Sequence, residues 1–135
     1  MKIIHLSDTH VGRNNNAQRL QMLLDDIASL GKPEDYLILH TGDLNDRGSL
    51  DAMQQSRALL DPLREKGWRM LLCPGNHDYG DSLHVDPQAA QSFRDHFSAL
   101  IFGRQAKQFP VLTLVEDCAL IGLDSNQGEM GWWER

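Results

Sequence analysis

The stretch "YLILHTGDLNDRG", residues 36–48, joins an apolar run to a strongly polar one. The apolar half predicts a buried β-strand. The polar half places Asp43, Asn45, Asp46 and Arg47 within five consecutive positions. A turn needs a glycine and one Asp or Asn, so this density of charge requires another explanation. We interpret the loop as one side of a binding or catalytic site.

Length and composition indicate one globular domain. The chain has 135 residues and a formal net charge of −6, which argues against nucleic acid or an acidic membrane surface as a partner. No apolar run approaches the roughly 18 residues of a membrane span, and the N-terminus lacks a signal-peptide pattern. Cys73 and Cys118 lie far apart in apolar runs, which favours buried free thiols. We therefore expect a cytoplasmic protein without a membrane partner.

Apolar strands alternate with amphipathic helices along the chain. Five apolar residues recur at helical spacing before the stop at Gly31-Lys32-Pro33, namely Leu20, Leu23, Leu24, Ile27 and Leu30. Pro62 favours a kink or an early end near the last turn of a second helix. We predict strands at residues 3–6, 35–40 and 68–73, helices at about residues 20–30, 49–67 and 88–100, and a hairpin of strands at residues 110–117 and 118–124.

Strands separated by helices of this length favour a parallel sheet, in which ligands bind beyond the carboxyl ends of the strands. The three predicted strands are followed by "SDTH", "TGDLNDRG" and "PGNHD". Asp8 and His10 are two residues apart, so an extended backbone would point both side chains the same way. The polar loops are therefore expected to form one shared site.

Carboxylates, imidazoles and a carboxamide in these loops form a mixed oxygen and nitrogen donor set. Such a set suits Mn²⁺, Fe²⁺, Zn²⁺ or Co²⁺, and the absence of thiolates from the motifs argues against a structural zinc site. No serine lies in a nucleophile elbow, and the chain has no P-loop.

The motifs "SDTH", "GDLNDRG" and "GNHD", in this order, resemble the signature of the calcineurin-like metallophosphoesterases. The resemblance covers Met1 to about Asp124, and "LIGLDSNQG" is similar to bacterial members that hydrolyse glycerophosphodiesters or cyclic nucleotides. It implies an α/β fold, a β-sandwich flanked by helices in four αββα layers. It also implies hydrolysis of phosphate mono- or diesters by a metal-activated water at a dinuclear site.

The resemblance also implies the metal ligands. Asp8 and His10 would hold the first of two divalent ions, Asp43 would bridge both ions, and Asn76 would hold the second through its carboxamide oxygen. Two ions about 3.5–4 Å apart can acidify a water and clamp phosphoryl oxygens.

Three further residues receive catalytic roles from the same resemblance. His77 would approach the substrate phosphate or the leaving-group oxygen, and Asp78 would orient the His77 imidazole. Arg47 would contact phosphate, with Asp46 beside it.

The chain departs from the family pattern after His96, the last histidine in the sequence. The family's later H-x-P and G-H-x-H segments, which supply further metal ligands, have no counterpart here. We therefore expect residues 1–135 to be the N-terminal half of one metallophosphoesterase domain, truncated at its C-terminus. Such a chain should bind metal weakly and be marginally stable or self-associated through its C-terminal strands and Trp132-Trp133.

Alternative functions stay open at this stage. A nuclease of the same family would need a basic groove, and a non-catalytic metal-binding or scaffold module would fit the missing histidines. Among the remaining residues, His5 and His40 are interpreted as packed or hydrogen-bonded core histidines and Asp124 as a structural hydrogen-bonding group. Arg13 is either a surface residue or a substrate contact.

Overall fold

The computed structural model describes residues 1–81, 84–100 and 109–126 and shows a mixed α/β fold, as predicted. The elements are β1 (Lys2–Leu6), α1 (Asn16–Ser29), β2 (Tyr36–His40), α2 (Leu50–Glu65), β3 (Arg69–Leu72), α3 (Pro87–Phe97), β4 (Val111–Val115) and β5 (Cys118–Gly122). Every strand and helix predicted from the sequence is present, with shifts at the ends.

The first three strands form a parallel sheet in the order β1-β2-β3. Ile4 pairs with Ile38 of the central strand, and Ile38 pairs with Met70 on its other side. Since the strands are parallel, the loops after β1, β2 and β3 leave the sheet at the same edge. The predicted parallel sheet is thereby confirmed.

The helices bury a single apolar core against this sheet. On α1, Leu20, Leu24 and Ile27 are buried at spacings of three and four residues, which places them on one helical face. The other two apolar residues predicted for this face, Leu23 and Leu30, are exposed. Helix α2 packs between α1 and α3. The fully buried residues of this core include Met53 on α2 and Phe93 on α3.

Helix α2 begins with a side-chain cap and continues through a proline. The Ser49 hydroxyl accepts a hydrogen bond from the Ala52 N–H at 3.1 Å, as expected of an N-cap serine. Of the kink or early end predicted at Pro62, the early end does not occur, since the helix continues to Glu65. Pro62 and Ala58 are both exposed, so the carbonyl that loses its N–H partner lies on the solvent side.

Strands β4 and β5 form the predicted antiparallel hairpin. At its turn, Glu116 lies 3.4 Å from the N-terminal amine of Met1 and 3.3 Å from Arg69. The outer face of this hairpin is apolar and open, with Leu112 62% and Leu114 73% exposed. Self-association through this face stays a prediction, and its expected extension over Trp132-Trp133 lies outside the described residues.

The exposure of individual side chains tests the remaining predictions about histidines and cysteines. His40 is buried, as predicted. His5 is exposed and hydrogen-bonds Thr41 Oγ1 at 2.8 Å, so its assignment to the core is wrong; it lies on the open face of the edge strand β1. Both cysteines are free, but Cys118 is exposed rather than buried, since it begins β5 on the open side of the hairpin. No helix in the described part of the chain is long and apolar enough to cross a membrane.

Candidate metal centre

The loops after β1 and β2 run side by side beyond the end of the sheet. The Asp8 N–H donates to the Gly42 carbonyl at 3.0 Å, and the His10 N–H donates to the Asp43 carbonyl at 2.9 Å. An isolated parallel bridge joins Val11 to Asn45 one step further on. These bonds bring the first two polar motifs together, which is the arrangement that the sequence predicts.

The backbone at this edge is strained. Asp8, His10, Asp43 and Arg47 have φ values of 56°, 45°, 55° and 57°, in the left-handed region that L-residues other than glycine rarely adopt. The extended backbone expected around Asp8 and His10 is therefore wrong. Their side chains converge because both residues turn into the left-handed region. Strain of this kind is concentrated at functional sites, where surrounding contacts hold it in place.

Two glycines allow the loops after β2 and β3 to touch. Gly42 has φ +120°, and a Cβ added there would lie 2.9 Å from the Gly75 Cα. A Cβ on Gly75 would in turn collide with the backbone and side chain of Asp43. Because both positions lack a side chain, the His77 N–H reaches Asp43 Oδ1 at 2.9 Å. The third motif thus joins the first two.

His10 lies close to one carboxylate from each of the first two motifs. His10 Nε2 lies 3.9 Å from Asp8 Oδ1 and 4.0 Å from Asp43 Oδ2. These separations exceed the hydrogen-bond range. They suit donors that share one ion, since metal–ligand bonds of about 2.0–2.2 Å keep the donor atoms less than about 4.4 Å apart.

A second grouping overlaps this one. His10, Asp43 and His77 each offer a ligand atom, and these atoms all lie within 4.8 Å of one another. The rings of His10 and His77 meet edge to face with centroids 4.7 Å apart. His77 therefore lies close enough to Asp43 to act either as a ligand or as a neighbour of the bound substrate.

Asn76 lies on the same side as the two carboxylates. Asp8, Asp43 and Asn76 line one polar cavity of about 190 Å³, together with Ser125 and Asn126 from the loop after β5. The four residues that the sequence assigns to metal are thus neighbours at one edge of the sheet.

Asp46, rather than Asp78, is the carboxylate that lies behind the His77 imidazole. Asp46 Oδ1 lies 3.4 Å from His77 Nδ1 and 3.8 Å from His10 Nδ1. Both Nδ1 atoms are buried and have no hydrogen-bond partner among the described residues. A carboxylate behind each imidazole is the arrangement that turns the other ring nitrogen, Nε2, toward a metal or a substrate. The buried nitrogens and the donor set therefore fit a divalent metal.

The orienting role predicted for Asp78 is wrong. Asp78 is fully buried, and its carboxylate accepts four hydrogen bonds, from the N–H groups of Leu44, Asn45 and Gly75 and from Asn45 Nδ2, at 2.8–3.3 Å. Burial raises the pKa of Asp78 to about 6, and these hydrogen bonds oppose that rise. Asp78 therefore fastens the loop after β2 to the loop after β3 and does not touch the imidazole.

Asn45 extends the hydrogen-bonded link between the two loops, and the sequence predicts no role for it. Its Oδ1 accepts a hydrogen bond from Ser56 Oγ at 2.7 Å, and its Nδ2 donates to Asp78 at 3.0 Å. Asn45 and Ser56 are both fully buried. The sequence feature that could have indicated this hydrogen bond is Ser56 on the apolar side of α2, because a buried hydroxyl needs a partner.

The two arginines near the motifs lie on a second, larger cavity. Arg13 and Arg47 line about 910 Å³ of space with Gly12, Asn14, Asp46, His77 and Asp81. The side chain of Arg47 is 80% exposed and lies 3.9 Å from Asp46 Oδ2. His77 adjoins this cavity, whereas Asp8, Asp43 and Asn76 line the smaller one.

Asp124 has the structural role expected of it. Its carboxylate accepts a hydrogen bond from the Tyr79 hydroxyl at 3.0 Å and from the Asn126 N–H at 2.9 Å. These bonds hold the loop after β5 beside the third motif.

Comparison with known proteins assigns this fold and this arrangement of side chains to a family. The chain belongs to the calcineurin-like phosphoesterase family, whose model matches residues 1–135. It is similar to a probable cyclic nucleotide phosphodiesterase from Rhodococcus erythropolis, with 30% identity over 134 residues that cover 92% of this chain and 40% of that protein. The chain thus spans about two fifths of the length of the curated relative that it matches.

Proposed function

We propose that this chain carries the dinuclear site of a metal-dependent phosphodiesterase. Asp8, His10 and Asp43 would hold one divalent ion, and Asp43 and Asn76 would hold the second, with the carboxylate of Asp43 shared. Mn²⁺, Fe²⁺, Zn²⁺ and Co²⁺ all suit this mixture of carboxylate, imidazole and carboxamide donors. Bound ions of this class supply the Lewis acidity that activates a water and offsets phosphate charge.

His77 is proposed to face the substrate. It borders the large cavity together with Arg47, and its buried Nδ1 turns toward Asp46, which leaves Nε2 for the scissile phosphate or the leaving-group oxygen. A hydrogen bond from this nitrogen would stabilise charge that develops on the leaving oxygen.

Arg47 is proposed to contact the phosphate. Its guanidinium is largely exposed at the cavity, and its planar fork matches two phosphate oxygens. The backbone of Arg47 is fixed by its neighbour, since the Gly48 N–H donates to the His77 carbonyl at 2.7 Å. The two residues proposed to meet the substrate are therefore held together.

A small phosphodiester is the proposed substrate class. The large cavity, about 910 Å³, lies within the range of about 300–1,000 Å³ typical of small-molecule sites. The name of the Rhodococcus erythropolis relative, a probable cyclic nucleotide phosphodiesterase, supports a phosphodiester.

The observation that carries the proposal is the distance from His10 Nε2 to two carboxylate oxygens, 3.9 Å to Asp8 Oδ1 and 4.0 Å to Asp43 Oδ2. The test is turnover of bis-p-nitrophenyl phosphate with added Mn²⁺. Wild-type protein and Asp26→Asn, which changes an exposed acid on α1, should both release p-nitrophenolate. Asp43→Asn and wild-type protein in excess EDTA should not. Equal rates with and without EDTA would contradict the proposal.

A non-catalytic metal-binding module is the second candidate, and the placement of the other histidines favours it. His5 bonds Thr41, His40 is buried against Thr9, His84 lies beside Asp81, and His96 bonds its own helix. Among the described residues, only His10 and His77 supply imidazoles to the candidate metal cluster. Metal binding that depends on Asp43, without any turnover, would select the module.

A further inference from the structure

Arg13 and Arg47 occupy equivalent positions on two paired loops. Val11 and Asn45 form a parallel bridge, so Arg13 and Arg47 each lie two residues beyond a bridged partner. The Asp46 N–H donates to the Val11 carbonyl at 2.8 Å, which continues the pairing past the bridge. The two arginines therefore project from neighbouring backbone segments into the cavity that they both line.

Arg13 lacks a structural explanation within the fold. Among residues 1–81, 84–100 and 109–126, its guanidinium has no hydrogen-bond or ion-pair partner, while its backbone N–H donates to the His10 carbonyl at 3.1 Å. The residue is exposed, yet its backbone is tied to the residue that is central to the proposed metal centre. An unpaired guanidinium beside a catalytic cavity is available to a ligand.

The carboxylates of the cavity already have other neighbours. Asp46 Oδ1 faces the two imidazoles, and Asp46 Oδ2 lies 3.9 Å from Arg47. Asp81 accepts a hydrogen bond from the His84 N–H at 2.8 Å and lies 3.4 Å from the His84 ring. The positive charge of Arg13 is thus not matched by a dedicated acid in the described structure.

Given the proposed phosphoesterase function, we propose that Arg13 is a specificity-determining residue that binds a second anionic group of the substrate. While Arg47 contacts the scissile phosphate, Arg13 holds a phosphate or carboxylate further along the same molecule. The cavity is large enough for both groups. The favoured substrates are therefore phosphate esters with a second anionic group, and singly charged diesters are used less well.

Anion binding without metal tests this proposal independently of turnover. In excess EDTA, inorganic pyrophosphate offers one phosphate group to each arginine, whereas orthophosphate offers a single group. Calorimetry should show wild-type protein binding pyrophosphate more tightly than orthophosphate by about tenfold, the worth of one additional charge-assisted hydrogen bond. Arg13→Gln should lose most of this difference.

The matched control is Arg19→Gln, since Arg19 is an exposed arginine on α1 whose side chain contacts Asn16. It should bind both anions like the wild type. Unchanged pyrophosphate binding in Arg13→Gln would overturn the proposal, and so would a wild-type chain that does not distinguish the two anions.

Turnover provides the second measurement. Two p-nitrophenyl diesters with the same leaving group are compared, one with a methyl and one with a carboxyethyl group on the remaining ester. Arg13→Gln should lower kcat/KM for the carboxyethyl ester by about five- to tenfold and leave the methyl ester unchanged. An equal loss for both esters would overturn the assignment. If the wild type hydrolyses neither ester, the proposed phosphodiesterase function fails, and calorimetry alone decides the role of Arg13.

Discussion

Acid should destabilise this protein through His40, the buried histidine at the end of β2. Thr9 Oγ1 donates its hydrogen to the Leu44 carbonyl at 3.2 Å, so at 3.1 Å it accepts one from His40 Nε2. Nδ1 is then the unprotonated nitrogen, and it is buried without a partner in the described structure. Protonation would therefore create an N–H donor at Nδ1 that has no acceptor among the described residues.

The size of the effect follows from the pKa. Burial lowers the pKa of His40 from 6.5 to about 4, against a smaller opposing effect of Asp8. Because the folded pKa lies below the unfolded one, His40 contributes stability above pH 6.5 that is lost as the pH falls toward 4. At about 1.4 kcal/mol per pH unit, the full loss is about 3 kcal/mol.

The assay is urea unfolding at about pH 7 and about pH 4.5. His40→Gln keeps an N–H donor toward Thr9 and cannot titrate. Between the two pH values, its unfolding free energy should therefore fall by about 2–3 kcal/mol less than that of the wild type. His84→Gln, whose parent side chain is 82% exposed, is the control and should follow the wild type. The reasoning is refuted if His40→Gln and wild-type protein lose the same stability.

Four further outcomes are expected. His77→Ala should abolish turnover but keep most of the bound metal, and loss of metal in a titration would instead make His77 a ligand. Asp78→Ala should lower the unfolding free energy by about 3 kcal/mol in urea melts, because four buried donors lose their acceptor; a loss below about 1 kcal/mol would contradict this. Gly75→Ala should weaken Mn²⁺ binding by displacing Asp43, and unchanged affinity would show that the loops can relax. Leu114→Lys should reduce self-association seen by light scattering at high concentration, and an unaltered size would exclude the open hairpin face as the contact.

The sequence predicted the elements and the meeting of the motifs well, because both follow from strong local patterns. Leu20, Leu24 and Ile27 specify one helical face, and parallel strands deliver Asp43 and Asn76 to one edge. Neither result depends on the detailed course of a loop.

The residues that the sequence placed wrongly depend on loop geometry and on burial. Asp78 is adjacent to His77 in sequence, but the short 3₁₀ turn Asn76–Asp78 directs its carboxylate into the core. Asp46 is 31 positions from His77 and reaches its ring because Gly42 and Gly75 let two loops touch. The place of His5 in an apolar strand predicts a core position, but one face of an edge strand can stay open.

Metal binding by calorimetry tests the proposed centre most directly. Mn²⁺ should bind wild-type protein and Asp26→Asn with the same weak affinity, and the binding should be lost in Asp43→Asn, since Asp43 is the carboxylate proposed to be shared by both ions. Retained Mn²⁺ binding in Asp43→Asn, or equal loss in Asp26→Asn, would show that the ion lies elsewhere and would contradict the centre formed by Asp8, His10, Asp43 and Asn76.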